Sequence, residues 1–238
     1  MPLETQRSAY WRGVRDGAPF LLVVTPFAML FGVVATEAGL NLVETMAFSI
    51  VVIAGAAQFA AVQLMVDNAP TVVVLASSLA INLRMAMYSA SLTPHLGPAP
   101  LWQRVLVAYF MVDQTYACSI ARYETEPDWG IVQKIAYFFG TMTPICPMWY
   151  AMTLAGALIG SAMPAGLALD FAVPITFIAL IAPMLRTAAH KVAALVAVAL
   201  ALVLAGLPYN LGLILSGLGG MVAGARVELW LERRGLWA

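Results

Sequence analysis

The sequence predicts an all-α membrane protein, a polytopic bundle of about eight transmembrane helices with both termini in the cytoplasm. Of its 238 residues, 62% are apolar and only 10% are charged, and the mean hydropathy is +0.88. A soluble domain needs about a quarter of its residues charged to cover its surface. Apolar runs of roughly 17–25 residues, long enough to cross a bilayer, follow one another along the chain. These observations predict multi-pass insertion in the inner membrane.

Breaks rich in charge, Pro or Gly divide the apolar runs. A cytoplasmic N-terminal segment, 1–17, precedes the first run, and a cytoplasmic tail, 226–238, follows the last. Only Gly206, Leu207 and Pro208 separate the last two runs, which could instead form one broken helix or a re-entrant pair. The predicted spans are 18–36, 45–66, 70–91, 101–121, 132–158, 167–185, 190–206 and 208–225.

The distribution of basic residues supports eight spans. With a cytoplasmic N-terminus, nearly all Lys and Arg residues fall in cytoplasmic segments, as the positive-inside rule requires. The exceptions are Arg104, at the start of the fourth span, and Arg84, within the third. A seven-span chain would place the basic cluster at 226–234 outside. The first and fifth spans both contain Pro, which would fit a parallel repeat of four spans.

Several function classes find no support in the composition. The net charge is zero, so no basic excess suggests nucleic acid. Cys118 and Cys146 lie in apolar runs, where a free thiol acts as a small hydrophobe and a disulfide is not expected. No metal-ligand spacing and no P-loop occur, so neither a metal, a cofactor nor ATP hydrolysis by this chain is predicted.

The strongest polar motif is the run from Asn82 to Ser91 in the third span. A charged side chain at bilayer depth costs roughly 2.5–3.5 kcal/mol on insertion scales, and it usually faces a cavity or a partner. The planar fork of Arg84 can hold a carboxylate bidentately. We therefore predict that Arg84, with Asn82 and Tyr88, binds substrate. The alternative is that Arg84 forms a structural ion pair or extends toward the headgroups.

Asp113 is the second polar feature, in the middle of the fourth span. It shares one helical face with Tyr109 and Tyr116, which together form a polar stripe. A carboxylate at bilayer depth could bind and release a proton within a transport cycle. It could also be the permanent counter-ion of Arg84, because the two residues lie at compatible depths. The two roles would combine if a substrate carboxylate opened the pair.

Two further motifs have weaker interpretations. Gln58, in the small-residue segment of the second span, either binds substrate or forms an interhelical hydrogen bond. Small residues in steps of four near the C-terminus predict a tightly packed helix seam, either within the protein or in a homo-oligomer. The seam residues are Gly212, Ser216, Gly220 and Gly224.

Taken in order, these motifs resemble the AzlC family over nearly the whole chain, from about Gly13 to Gly224. The resemblance rests on four short segments with the family's order and spacing. They are Gly17-Ala18-Pro19-Phe20, Ala57-Gln58-Phe59, Asn82-Leu83-Arg84 followed by Tyr88-Ser89-Ala90-Ser91-Leu92, and Asp113-Gln114-Thr115-Tyr116-Ala117.

The resemblance implies a branched-chain amino-acid exporter that works with a small AzlD-type membrane subunit and draws on the proton gradient. Met85 and Gln114 depart from the family, whose members often carry His and an acidic residue there, so the proton route or the substrate preference could differ. A scaffold or channel subunit would not need an Arg and an Asp at matched depth. An intramembrane enzyme, the third class, would need catalytic motifs that the sequence lacks.

Overall fold

The computed structural model describes residues 5–162, 185, 187–207 and 211–234, and the predicted span 167–185 lies outside this part apart from Leu185. The described residues form helices and no strand. Four of these helical segments are long and apolar enough to cross a membrane: Gln6–Glu37, Thr71–Leu96, Ile131–Ala162 and Leu211–Arg233. The chain forms two compact units, Met1–Gln63 with Ser78–Met163, and Leu64–Ser77 with Pro164–Ala238. Each unit is described by itself.

In unit one, two long helical segments form a frame. The first consists of α1 (Gln6–Gly17), a 3-10 turn (Ala18–Phe20) and α2 (Leu21–Glu37). The second is α8 (Ile131–Ala162). Each covers 32 residues, about 48 Å of helix, which exceeds the roughly 30 Å hydrocarbon core.

Glycines bring the two frame helices into backbone contact. A Cβ at Gly13 would clash with the carbonyl oxygen of Tyr137, and one at Gly156 would clash with that of Met29. Because early residues contact early residues and late residues contact late ones, the two segments run in the same direction. Such close approach of backbones is typical of small-residue seams between membrane helices.

A helical hairpin follows α2. Its arms are α3 (Leu42–Val51) and α4 (Gly55–Val66), and its tip is formed by residues 52–54. Phe31 of α2 packs against both Phe48 and Phe59, and the Gln58 amide lies 3.2 Å from the Ser49 hydroxyl. Contacts between residues equally far from the tip show that the arms are antiparallel. The segment therefore differs from the single span predicted for 45–66, because α4 turns back along α3.

A second hairpin follows α5 (Thr71–Leu96). Its arms are α6 (Leu101–Tyr109) and α7 (Asp113–Thr125), and its tip is Phe110, Met111 and Val112. Trp102 lies near Ile135 and Tyr109 contacts Tyr150, so α6 runs parallel to α8. By contrast, Tyr123 of α7 binds the carbonyl oxygen of Lys134, near the beginning of α8.

The second hairpin likewise differs from the prediction of a single span over 101–121. Each arm has 9–13 residues, so it reaches only about halfway across a bilayer. The two hairpins enter unit one from opposite ends. They give an inverted repeat of one long helix followed by one re-entrant hairpin, rather than the parallel repeat that the sequence suggested.

The basic residues of unit one collect at the end where α1 and α8 begin, which we call the basic end. Trp102, near the beginning of α6, lies close to Arg7 and Ile135 at this end. The hairpin thus brings Arg104 to the same end and removes one of the two exceptions in the charge pattern, with Arg84 as the other. From the positive-inside rule we expect the basic end to face the cytoplasm. Its basic residues are Arg7, Arg12, Arg15, Arg104, Arg122 and Lys134.

Unit two contains the helix pair α9 (Ala188–Val203) and α10 (Leu211–Arg233). They pack as separate, antiparallel helices, since Gly212 lies against Leu204 and Gly224 against Ala193. The buried residues of α10 are the four small residues of the predicted seam, Gly212, Ser216, Gly220 and Gly224. This face packs against α9 within the chain.

Candidate functional site

The tips of the two hairpins meet halfway along the frame helices. Ile53 of the first tip and Val112 of the second pack into one apolar cluster with Ile145 and Trp149 of α8. The Tyr109 hydroxyl donates a hydrogen bond to the carbonyl oxygen of Ile50 at 2.6 Å and lies 3.1 Å from the Tyr150 hydroxyl. Broken helices that meet near the midplane are the usual setting of substrate sites in secondary transporters.

An ion pair lies beside the second tip. Asp113 is the first residue of α7, and its Oδ2 is 2.8 Å from Nη1 of Arg84 on α5. The Tyr88 hydroxyl donates to Oδ1 of the same carboxylate at 3.0 Å. Both oxygens of Asp113 are thus engaged, at the N-terminus of α7.

Aromatic stacking fixes Tyr88 in this arrangement. The rings of Tyr88 and Tyr116 are parallel to within 9° with centroids 4.0 Å apart. The Tyr116 hydroxyl in turn donates to Ser91 at 3.1 Å. These contacts hold the first turn of α7 beside the turn of α5 that carries Tyr88 and Ser91. Asp113 is thereby held opposite Arg84.

Arg84 keeps hydrogen-bonding capacity that the pair does not use. Its side chain is 33% exposed, yet its Nε is buried and has no hydrogen-bond partner in the described part of the chain. The Oδ1 of Asn82, two residues earlier, is also buried and unpartnered there. Buried polar atoms without partners are uncommon, and each one calls for a ligand, a water or a partner group.

Gln58 lies in the other hairpin, on α4. Its amide and the Ser49 hydroxyl are 3.2 Å apart, and Ser49 lies 3.2 Å from the Thr153 hydroxyl of α8. All three side chains are fully buried. This network fits the interhelical hydrogen bond that was one of the two interpretations of Gln58, and its role in substrate binding stays a prediction.

The sequence also placed Tyr109, Asp113 and Tyr116 on one helical face, and the structure corrects this. The helix stops at Tyr109 and restarts at Asp113, so the helical wheel does not continue across the tip. Tyr109 instead joins the first hairpin, whereas Asp113 and Tyr116 face α5. The apolar tip residues carry no Gly or Pro that would have indicated the interruption.

A second polar cluster at the basic end was not foreseen. Arg122 Nη2 and the Tyr137 hydroxyl lie 2.8 and 2.7 Å from the same oxygen of Asp16. Arg12 pairs with Glu126 at 2.9 Å. From the sequence, these arginines indicated only which segments face the cytoplasm. A possible signal was Asp16, an acidic residue directly before the first predicted span.

Comparison with known proteins gives the family. A sequence model described as "AzlC protein" matches residues 19–163. The "Inner membrane protein YgaZ" of Escherichia coli K12 is 24% identical over 182 residues, which are 71% of either chain. An "Uncharacterized membrane protein" of Archaeoglobus fulgidus is 29% identical over 185 residues, covering 76% of this chain and 78% of that protein. No solved structure matches the chain significantly.

The matched region includes both hairpins, α5 and all of α8. It therefore covers the Arg84–Asp113 pair, which the fold places in the middle of unit one. Because the match extends over more than half of the sequence, the chain belongs to the AzlC family of membrane transport proteins.

Proposed function

We propose that this protein is a secondary transporter that exports branched-chain or other hydrophobic amino acids across the inner membrane. The observation that carries this proposal is the Arg84–Asp113 pair at the tip of a re-entrant hairpin. A charged pair at this depth is costly, and it marks a substrate or ion pathway more often than a structural contact. The inverted repeat with broken helices supports the same class of function.

Arg84 supports a substrate that carries a carboxylate. A guanidinium group presents donors on more than one edge, and Asp113 occupies only Nη1. The unpartnered Nε can therefore contribute to a second, bidentate contact with the α-carboxylate of an amino acid. Under this arrangement the substrate shares Arg84 with Asp113.

The surroundings support an apolar side chain on that substrate. The tips contribute Ile53 and Val112, and α8 adds Trp149 beside them. Apolar surroundings of this kind accept valine, leucine, isoleucine or methionine side chains without strong selection among them, because one methylene changes binding by only about 1–3 kcal/mol.

Proton coupling is proposed at Asp113. A proton on Asp113 would remove the charge that holds Arg84 Nη1 and would leave the guanidinium free for the substrate carboxylate. Binding of substrate would then be coupled to protonation of Asp113, and release of substrate to loss of that proton. Participation of a small AzlD-type subunit rests on the family resemblance.

Export from intact cells tests the proposal. Cells loaded with dipeptides would release labelled valine, leucine and methionine through the wild-type protein, co-expressed with its small subunit. We expect Arg84→Ala and Asp113→Asn to lower export to the level of cells without the protein. Arg84→Lys should retain little activity, because a lysine keeps the charge and loses the fork.

Matched controls separate the pair from charge in general. Arg15→Ala and Asp128→Asn remove the same charges from exposed positions at the basic end, and they should export like wild type. Insertion of every variant at normal levels is checked in membranes. Wild-type export by Arg84→Ala or Asp113→Asn would contradict the proposal, as would a wild-type protein that exports none of the three amino acids.

A further inference from the structure

We infer that α7 is a mobile gate at the basic end of unit one, and that Asp16, Arg122 and Tyr137 are positioning residues that hold it closed. These three side chains form a cluster, which we call the latch, between α7, α1 and α8. The inference rests on the proposed transport function and adds a moving part to it. Nothing in the family membership assigns a role to these residues.

The latch joins three helices through one carboxylate. Oδ2 of Asp16 accepts from Arg122 at 2.8 Å and from Tyr137 at 2.7 Å. The Arg122 guanidinium also lies over the Tyr137 ring, 5.7 Å from its centroid. Removal of Asp16 would leave Arg122 and Tyr137 without their shared acceptor, and removal of either donor would leave the Asp16 carboxylate with one donor fewer.

A second ion pair reinforces the latch one turn further along α7. Arg12 of α1 binds Glu126 at 2.9 Å, and Arg122 lies 3.9 Å from the same carboxylate. The side chains in these contacts are 27–36% exposed. Ion pairs with this degree of solvent access exchange readily with water, unlike fully buried pairs, which cost several kcal/mol to break.

The frame helices are joined differently. Gly13, Gly140 and Gly156 bring α1, α2 and α8 into backbone contact that leaves no room for a Cβ. Packing of this kind resists sliding, because any shift forces backbone atoms together. At the basic end α7 is joined to α1 and α8 by polar side-chain contacts and by the buried Tyr123 ring, which packs on Tyr137. Separation of α7 therefore breaks side-chain contacts and leaves the backbone contacts of the frame in place.

Movement of α7 would expose the ion pair of the candidate site. Asp113 is the first residue of α7, so displacement of this helix away from α1 and α8 moves its carboxylate relative to Arg84. The same displacement would open a route from the basic end to the hairpin tips. Opening of the latch and release of Arg84 thereby become one event.

The two native cysteines report this movement. Cys118 is half-buried on α7, and its Sγ lies 3.8 Å from the backbone carbonyl oxygen of Asp16. Cys146 is buried in α8, which belongs to the frame. The rate of labelling by N-ethylmaleimide is measured on Cys118 in a Cys146→Ser background and on Cys146 in a Cys118→Ser background.

We expect Arg122→Gln and Tyr137→Phe to raise the Cys118 labelling rate about tenfold, the effect of losing one coupled polar contact. The labelling rate of Cys146 should stay unchanged. Arg122→Lys should restore most of the slow Cys118 labelling, since it keeps the charge next to Asp16. Arg15→Gln removes an exposed charge on α1 next to Asp16 in the sequence and serves as the matched control.

Two outcomes would overturn the inference. If Cys118 and Cys146 become reactive together, the latch only stabilises the fold. If neither rate changes, α7 is not held by the latch. Because the labelling needs no transported molecule, these outcomes are independent of whether the protein exports amino acids.

Discussion

Asp113 shows that the sequence predicted one contact of a site residue and placed its helical neighbours wrongly. Its pairing with Arg84 was one of two roles expected from their depths, and the two side chains meet at 2.8 Å. Its partner Tyr88 was also among the expected site residues, although as a substrate ligand. The neighbours of Asp113 along α7 were predicted on the wrong geometry, because an uninterrupted helix was assumed where the backbone reverses.

Tyr88 offers a test of the site at the level of one hydroxyl group. Tyr88→Phe removes the hydrogen bond to Oδ1 of Asp113 and keeps the ring stacked on Tyr116. A hydrogen bond to a charged group contributes about 1.5–3 kcal/mol. We therefore expect a loss of about tenfold or more in the export rate at low substrate concentration, measured in the same cell assay.

Tyr116→Phe is the matched variant for Tyr88. It removes a neutral hydrogen bond to Ser91 and preserves the same aromatic stack. Its effect on export should be clearly smaller than that of Tyr88→Phe, since neutral hydrogen bonds contribute about 0.5–1.5 kcal/mol. Equal export by Tyr88→Phe and the wild type would show that the hydroxyl does not support Asp113.

The hairpins show why the helix boundaries were harder to predict than the fold class. The arms of the first hairpin are as apolar as continuous spans, and the tips of both hairpins, residues 52–54 and 110–112, carry no charge, Gly or Pro. Hydropathy therefore joined each pair of arms into a single span. Arg104 was the visible inconsistency, because it fell outside the cytoplasm in the eight-span arrangement. The hairpin explains it by returning the chain to the basic end.

The frame can be tested through one glycine. Gly156→Ala would push a Cβ into the Met29 carbonyl group, and overpacking of this kind costs about 1–3 kcal/mol. We expect a lower midpoint of thermal unfolding in detergent, followed by size-exclusion chromatography of heated samples. Gly217→Ala is the control, because no atom lies within 4 Å of the added Cβ and alanine favours the helix. Equal midpoints for the two variants would contradict the tight frame.

At the scale of the whole molecule, the sequence predicted the fold class but not the direction in which each short helix runs. An all-α membrane protein follows from 62% apolar residues and the spacing of breaks. Long continuous helices such as Thr71–Leu96 and Ile131–Ala162 lie close to predicted spans. The direction in which short segments travel depends on contacts between distant residues, such as Phe31 with Phe48 and Phe59, which no local pattern records.

Cysteine accessibility distinguishes the two paths. In a background with both native cysteines replaced by Ser, Pro98→Cys marks the turn between α5 and α6, and Asp128→Cys marks the turn between α7 and α8. The hairpin places both turns at the basic end, so both should react with an impermeant maleimide only in inside-out vesicles.

Glu37→Cys, at the far end of α2, should react only in intact cells or right-side-out vesicles. Labelling of Pro98→Cys from the same side as Glu37→Cys would restore the continuous fourth span. It would also contradict the inverted repeat, whereas the Arg84–Asp113 contact could still form.

The Tyr109 hydroxyl bonds the two hairpins to each other, since it belongs to one tip and reaches the Ile50 carbonyl group of the other at 2.6 Å. This bond can form only while the two tips are in contact. If transport proceeds as proposed, separation of either hairpin must break it, so the bond stabilises the arrangement with both tips together. A molecule without substrate would then rest with both hairpins in contact, and little would leak through it.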